Sequence, residues 1–257
     1  MERSAVAPHC GAMPTTHISR AYPDRVEVRG KSLTDDLMGK VSFTAYFHLL
    51  LTGREPTDDE LFFLDLLLVA IAEHGMMPTN VAARMTLAAD PNSLQGAVAA
   101  GILGAGPVLL GTTEACAKLL ERTRQRGEDP LTVAKRVREE GGKLPGFGHP
   151  VHKPLDPRAE RIFELAHERG VAGEYTKLAE DFRGAVHEAW GKPLTLNISM
   201  PMAAVLLDLG FPASIVKAVP ILARTASLLG HLAEEQQESI GFQLAKAAED
   251  LVEYDPE

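Results

Sequence analysis

The chain has 257 residues, with 26 Lys+Arg against 35 Asp+Glu for a formal net charge of -9, and is 45% hydrophobic but only 5% aromatic. That apolar share over that length supports one ordinary core or two modest lobes and excludes wholesale disorder. The acidic balance leaves no broad positive field, which excludes nucleic acid as a partner class while allowing a local basic pocket for a small anion.

Only Cys10 and Cys116 are present, so there is no disulfide framework and a cytoplasmic address is the default expectation. The longest uncharged stretch, 91 to 113, has an apolar centre of only 97 to 110, broken by glycines and Pro107. That is too short for a bilayer span, and no apolar signal core follows the first basic residues.

Residues 1 to 19 read as a loose leader, and 24 to 30 (DRVEVRG) alternate briefly, as a short strand or extended arm does. Helical spacing of apolar residues then predicts helices over 42 to 51, 57 to 74, 79 to 89, 93 to 104 and 107 to 126. Thr57-Asp58-Asp59-Glu60 is a capping box that fixes one helix start. A helix from Pro130 to about Glu140 is followed by a loop dense in Gly and Pro, 141 to 154. Further helices are predicted over 156 to 170, 172 to 189, 201 to 209, 213 to 230 and 231 to 250, so the fold class is all-α. A second lobe would span roughly 112 to 222, because long, chemically loaded loops often lie between lobes.

The segment 145 to 158 (PGFGHPVHKPLDPR) carries the chemistry. Glycines flanking Phe147 let backbone approach a ligand, and their N–H groups can face an anion. The His149 imidazole can donate to a carbonyl or hydroxyl oxygen, and Arg158 can grip a carboxylate in two bonds. Elsewhere, His74 ends an apolar helix before Gly75, where either a ligand role or a capping role is open. Arg224 sits in an apolar helical run and needs an anion, either a ligand or an internal carboxylate. His231, on the same helical run, is equally compatible with a satisfied core histidine. His149 and His152 are three apart, but no Cys or acidic cluster accompanies them at zinc-ligand spacing, so no metal is expected.

The string from Gly146 to Arg158 resembles the citrate synthase signature, Gly-x-Gly-His-x-Val with a basic residue and then Asp-Pro-Arg. Residues 71 to 80 (IAEHGMMPTN) resemble the family's segment with a substrate-binding histidine, and 222 to 231 (LARTASLLGH) the one with a substrate-binding arginine. Val28-Arg29-Gly30, residues 36 to 38 and Leu50 to Arg54 also fit, and the resemblance covers about 20 to 254. It is nearest to stand-alone citryl-CoA lyases and to the citryl-CoA lyase domain of ATP-citrate lyase.

That resemblance implies an all-α homodimer with large and small lobes and a site in the cleft between them. It implies making or breaking the bond between an acetyl-CoA methyl carbon and the carbonyl carbon of a 2-oxo acid such as oxaloacetate. No tightly bound cofactor and no metal are implied; coenzyme A enters as part of the substrate, beside a dicarboxylate. By position, His74 and His149 would stabilise the oxygen that changes between hydroxyl and ketone. Arg158 and Arg224, with Asn197, would bind the substrate. Phe147, Gly148, Val151 and Lys153, with Lys192, would contact CoA.

The sequence departs from the pattern at three places. Leu110 stands where citrate synthases place a histidine, which the lyase branch also lacks. Ser199 stands where the family has its carboxylate base, in Asn197-Ile198-Ser199. A serine is a poor proton acceptor, and general acid–base catalysis is typically worth about 100- to 10,000-fold. Gln243 replaces an expected basic residue. Two readings follow: a carbon–carbon lyase acting on a citryl-CoA-type 3-hydroxyacyl-CoA, or a non-catalytic relative that binds an acyl-CoA or organic acid. The glycines at 96, 101, 104 and 106 would permit close packing of helices at a dimer interface.

Overall fold

The computed structural model describes residues 14–256, which divide into two compact units, one ending at Thr57 and one starting at Asp58. The first 13 residues of the expected leader lie outside the described residues; by Ser19 the chain is already in a strand.

The first unit holds β1 (Ser19–Ala21), β2 (Val26–Val28) and β3 (Lys31–Ser32) in an antiparallel sheet of that order. Ser19 pairs with Val28 and Val28 with Lys31. Arg29 and Gly30, both at positive φ, make the two-residue turn that suits a twisted hairpin. One π-helical turn (Leu33–Leu37) and α1 (Phe43–Thr52) follow, α1 being opened by the Ser42 side chain and closed by left-handed Gly53. Val28, Leu37 and Leu49 form this unit's core. The hairpin exceeds the single extended arm the sequence predicts, because strands of two or three residues carry too little alternation to register.

The second unit is helical throughout its regular elements: α2 (Asp58–Ala72), α3 (Pro78–Ala89), α4 (Leu94–Leu103), α5 (Thr112–Arg126), α6 (Pro130–Glu139), α7 (Pro157–Glu168), α8 (Glu174–Trp190), α9 (Ser199–Asp208), α10 (Ala218–Gln237) and α11 (Gly241–Leu251). α9 is apolar on every side, and residues 199 to 207 are all buried, so it takes the centre with α5, α7 and α8 packed on it. Its last residue, Asp208, accepts hydrogen bonds from the backbone N–H groups of Gly173, Tyr175 and Thr176 at 3.0, 2.9 and 2.8 Å. It thereby caps α8, whose own N-cap, Gly173, has no side chain to offer. A second core joins α3, α4 and α10 through Ala83, Leu87, Ala97, Leu228 and Leu232.

Three expectations are corrected. The helix expected from 107 starts only at Thr112, because Pro107 to Gly111 form a turn closed by the Gly111 N–H on Gly106 O and Leu110 is held at φ 65°. The break expected at Gly230 does not occur; α10 runs through it to Gln237. Gly101 packs inside the chain, where a Cβ would stand 2.7 Å from Leu228 Cδ1, while Gly104 is exposed, with Thr79 Cγ2 3.2 Å from where its Cβ would stand. The lobe expected over 112 to 222 falls within the second unit. Among the described residues no helix is long and apolar enough to cross a membrane.

Candidate active site

The site is built on the loop before α7. Phe147 bridges antiparallel to Leu196, Gly148 N–H donates to Thr195 O at 2.7 Å, and Asn197 N–H donates to Gly146 O at 2.9 Å. The loop is thus pinned to the segment that enters the central helix α9. Gly146 has φ +83°, and a Cβ there would stand 2.9 Å from Cys116 Sγ and 2.9 Å from Met200 Cβ. Only glycine fits this crossing. Cys116 itself is fully buried, and burial pushes its thiol pKa up, so it is an inert packing residue.

This pinning brings His149 and His152 to His74, on the turn between α2 and α3. Ring centroids are 5.2 Å apart for His74 and His149, 5.4 Å for His74 and His152, and 4.4 Å for His149 and His152. The His74 ring faces this cluster, which decides against the capping alternative. His149 Nδ1 accepts from the N–H groups of Val151 at 3.1 Å and His152 at 2.8 Å. The neutral ring must therefore carry its proton on Nε2, outward, as a donor. Burial is the leading cause that lowers the pKa of both rings; His152 and the Arg158 guanidinium add to it, against Asp156. Both rings are neutral donors at pH 7.

Arg158 opens α7 behind Asp156, a fully buried carboxylate. Asp156 accepts from Arg158 Nε at 3.0 Å and Nη2 at 2.9 Å, from Arg158 N–H at 3.1 Å and from Ile198 N–H at 3.1 Å. Burial alone would raise its pKa; the Arg158 hydrogen bonds and charge outweigh that and lower it. The clamped guanidinium places Nη2 3.4 Å from His149 Nε2. Both atoms are donors, so the pair is arranged to share one acceptor oxygen.

Arg224, on α10, is 2% exposed. Its Nη1 donates to Asn80 Oδ1 at 2.9 Å, while its Nε has no partner among the described residues. Among the described residues no carboxylate pairs with it; burial lowers its pKa, and Glu73 opposes that only through space. Among the described residues the internal-carboxylate alternative is thereby excluded, and a buried cation of this kind calls for an anion. Arg158 and Arg224 both act electrostatically on His74, which places the two guanidinium groups around one imidazole.

Glu73, Asn80, His231 and Arg84 brace this side. Glu73 accepts from the N–H groups of His74 and Gly75, each at 2.7 Å, and from Ser227 Oγ at 2.6 Å. The turn bearing His74 is thus tied to α10. His231 Nδ1 accepts from Arg84 Nε at 3.1 Å, and its Nε2–H donates to Glu73 Oε2 at 3.0 Å. His231 is therefore a satisfied structural histidine. Arg84, 1% exposed, also pairs with Glu235 at 2.9 Å and with Glu234.

The remaining expected residues are placed as follows. Asn197, expected at the substrate, donates from Nδ2 to Gly148 O at 2.9 Å and accepts from Ser199 N–H at 3.1 Å, so it braces the loop. Ser199 begins α9 and is buried. Phe147 is half-buried, while Gly148, Val151, Lys153 and Lys192 are exposed. Sequence reasoning notes His152 only as a possible metal ligand beside His149, and it misses Asp156, Glu73 and Arg84. Among the missed residues Asp156 has a signal, its place as the N-cap of α7 beside Arg158.

The three imidazoles each offer a nitrogen within 4.8 Å of the others, a cluster that the spacing of His149 and His152 alone does not reveal. Backbone donors occupy His149 Nδ1, and guanidinium groups supply positive charge nearby. That donor set fits an anionic oxygen ligand better than a cation.

Residues 9–243 match the family model described as citrate synthase, C-terminal domain. The chain belongs to the citrate synthase family. It is 30% identical to the citrate/2-methylcitrate synthase of Bacillus subtilis over 76% of its own length and 53% of that protein's. The chain spans about half the length of the curated relatives it matches. Among solved structures it is similar to the citryl-CoA lyase of Hydrogenobacter thermophilus, with a TM-score of 0.87, 30% identity and 96% of each chain covered. It shares its fold with an ATP citrate lyase of Methanosaeta concilii solved with (3S)-citryl-CoA, with a TM-score of 0.79, 21% identity, and 96% of this chain and 42% of that one covered.

Proposed function

We propose that this family member is a carbon–carbon lyase that cleaves a citryl-CoA-type 3-hydroxyacyl-CoA into acetyl-CoA and a 2-oxo acid such as oxaloacetate, or runs the reverse condensation. The observation that carries the reading is Arg224, a buried guanidinium with no carboxylate partner among the described residues, beside neutral imidazole donors. Such a group calls for a small anion bearing a polarisable oxygen. The similarity to a citryl-CoA lyase over 96% of both chains supports the same reaction class.

On this reading Arg158 and Arg224 hold the carboxylates of the oxo-acid half. His74 and His149 donate to its hydroxyl oxygen, which becomes the ketone oxygen as the carbon–carbon bond breaks. That bond's electron pair passes to the acetyl carbon as an enolate, which a proton then quenches. The loop from Phe147 to Lys153, with the exposed Val151, and Lys192 receive the CoA portion, which is substrate. The exposed apolar side chains of Leu103 (86%) and Val108 (91%) supply a face for a homodimer.

The competing reading, a non-catalytic binder of acyl-CoA or organic acid, has Ser199 in its favour. A coupled assay of citryl-CoA cleavage separates the two. Wild type releases acetyl-CoA and oxaloacetate in equal amounts, and Arg224→Gln lowers kcat/KM by about 10- to 150-fold, the worth of a charge-assisted hydrogen bond. No release by wild type, with CoA still bound, sinks the lyase reading and leaves the binding one.

A further inference from the structure

We propose that His152 is the proton carrier of this site, taking the hydroxyl proton as the carbon–carbon bond breaks and delivering it to the acetyl carbon. The inference rests on the lyase reading above. Cleavage of a 3-hydroxyacyl-CoA requires a group that accepts one proton from oxygen and returns one to carbon, with no net change. Ser199 cannot accept it. Leu110 is apolar, and Asp156 is closed off by four hydrogen bonds to Arg158 and Ile198.

The three imidazoles are not equivalent. The His149 Nδ1 lone pair already receives two backbone N–H groups, so this ring donates and does not accept. On the lyase reading the His74 ring also donates to the oxygen. His152 is the remaining ring of the three. Its backbone is fixed at both ends, with N–H on His149 Nδ1 at 2.8 Å and C=O accepting from Thr195 Oγ1 at 3.2 Å. Its ring, half-buried and facing the other two, has neither nitrogen hydrogen-bonded among the described residues. It is therefore held in place with a basic nitrogen left open. The ionisable groups around the cluster are His74, His149, Asp156, Arg158 and Arg224.

The bond changes balance. The His152 lone pair takes the hydroxyl proton, the oxygen's electrons form the ketone, and the carbon–carbon pair leaves as the acetyl-CoA enolate. The imidazolium then protonates that carbon and is neutral again. His149 Nε2–H and His74 hold the oxygen throughout.

The test compares wild type, His152→Gln and His152→Gly in citryl-CoA cleavage, with thermal melting to verify folding. His152→Gln keeps hydrogen-bonding capacity but no basicity. It lowers kcat by about 100- to 10,000-fold, with KM changed less than about threefold. Wild type and variant differ in the acid limb of their kcat–pH profiles. Free imidazole restores turnover to His152→Gly. A folded His152→Gln with wild-type kcat and an unchanged acid limb overturns the assignment and leaves the lyase reading standing. Absence of cleavage by wild type overturns both, and is seen without any variant.

Discussion

Asp156→Ala removes a buried carboxylate that orients the guanidinium beside His149 while capping α7 and holding Ile198 N–H. Breaking a buried pair costs about 3–5 kcal/mol, and the lower end applies because the Arg158 side chain keeps 20% of its exposure and can find water. Loss of the cap adds about 1 kcal/mol. The sum, about 4 kcal/mol, corresponds to a fall in Tm of about 8–16 °C for a chain of this size. Asp156→Asn keeps the shape and, with its single oxygen, the cap, but loses the charge and turns its N–H donors on Arg158 Nη2 and Ile198 N–H, and costs about 3 kcal/mol. Urea unfolding at pH 7 with linear extrapolation measures both, and calorimetric titration with oxaloacetate measures the lost grip of Arg158. The reasoning is refuted if Asp156→Ala stays within about 0.5 kcal/mol of wild type, the range of an unremarkable surface change.

Stability also depends on pH in two windows. Because His74 and His149 are held below the ordinary imidazole value, the unfolded chain binds more protons as pH falls through about 6.5, and stability declines below that point. Urea unfolding at pH 7.5 and 5.5 measures this, and a His74→Gln/His149→Gln double variant shows a smaller difference. The lowered carboxylates Glu73, Asp156 and Glu235 contribute stability above about pH 4.5 that is lost as they protonate below it. Gly146→Ala, which adds a clash with Cys116 and Met200 to a left-handed backbone, costs about 2–4 kcal/mol by urea unfolding. Sedimentation at micromolar concentration gives a dimer; only a 27.7 kDa species would remove the proposed interface.

Helix periodicity made most of the second unit legible, since α2 to α9 each turn a recognisable apolar stripe or run inward. Its failures have local causes. Pro107 to Gly111 look apolar and helical, yet Gly111 must approach Gly106 O too closely for any Cβ, so the chain turns there. Gly230 resembles a stop, yet flanking residues of α10 are fixed by α2, α3 and α4. In the site, the motif from Gly146 to Arg158 announced His149 and Arg158 because chemistry and sequence are adjacent there. The meeting of His74 with His152, and the hold of Glu73 on both the His74 turn and α10, join segments 70 to 160 residues apart, for which helical spacing carries no signal. The open nitrogen of Arg224 is likewise a property of the packed state: the sequence shows an apolar surround, and the fold shows that among the described residues no carboxylate pairs with it.

A crystal structure of the chain with oxaloacetate and CoA tests the central claim most directly. The ketone oxygen is expected within hydrogen-bond reach of His74 and His149, with carboxylates on Arg158 and on the open Nε of Arg224. Oxaloacetate bound elsewhere, or Arg224 still without an anion in a crystal saturated with both molecules, would contradict it.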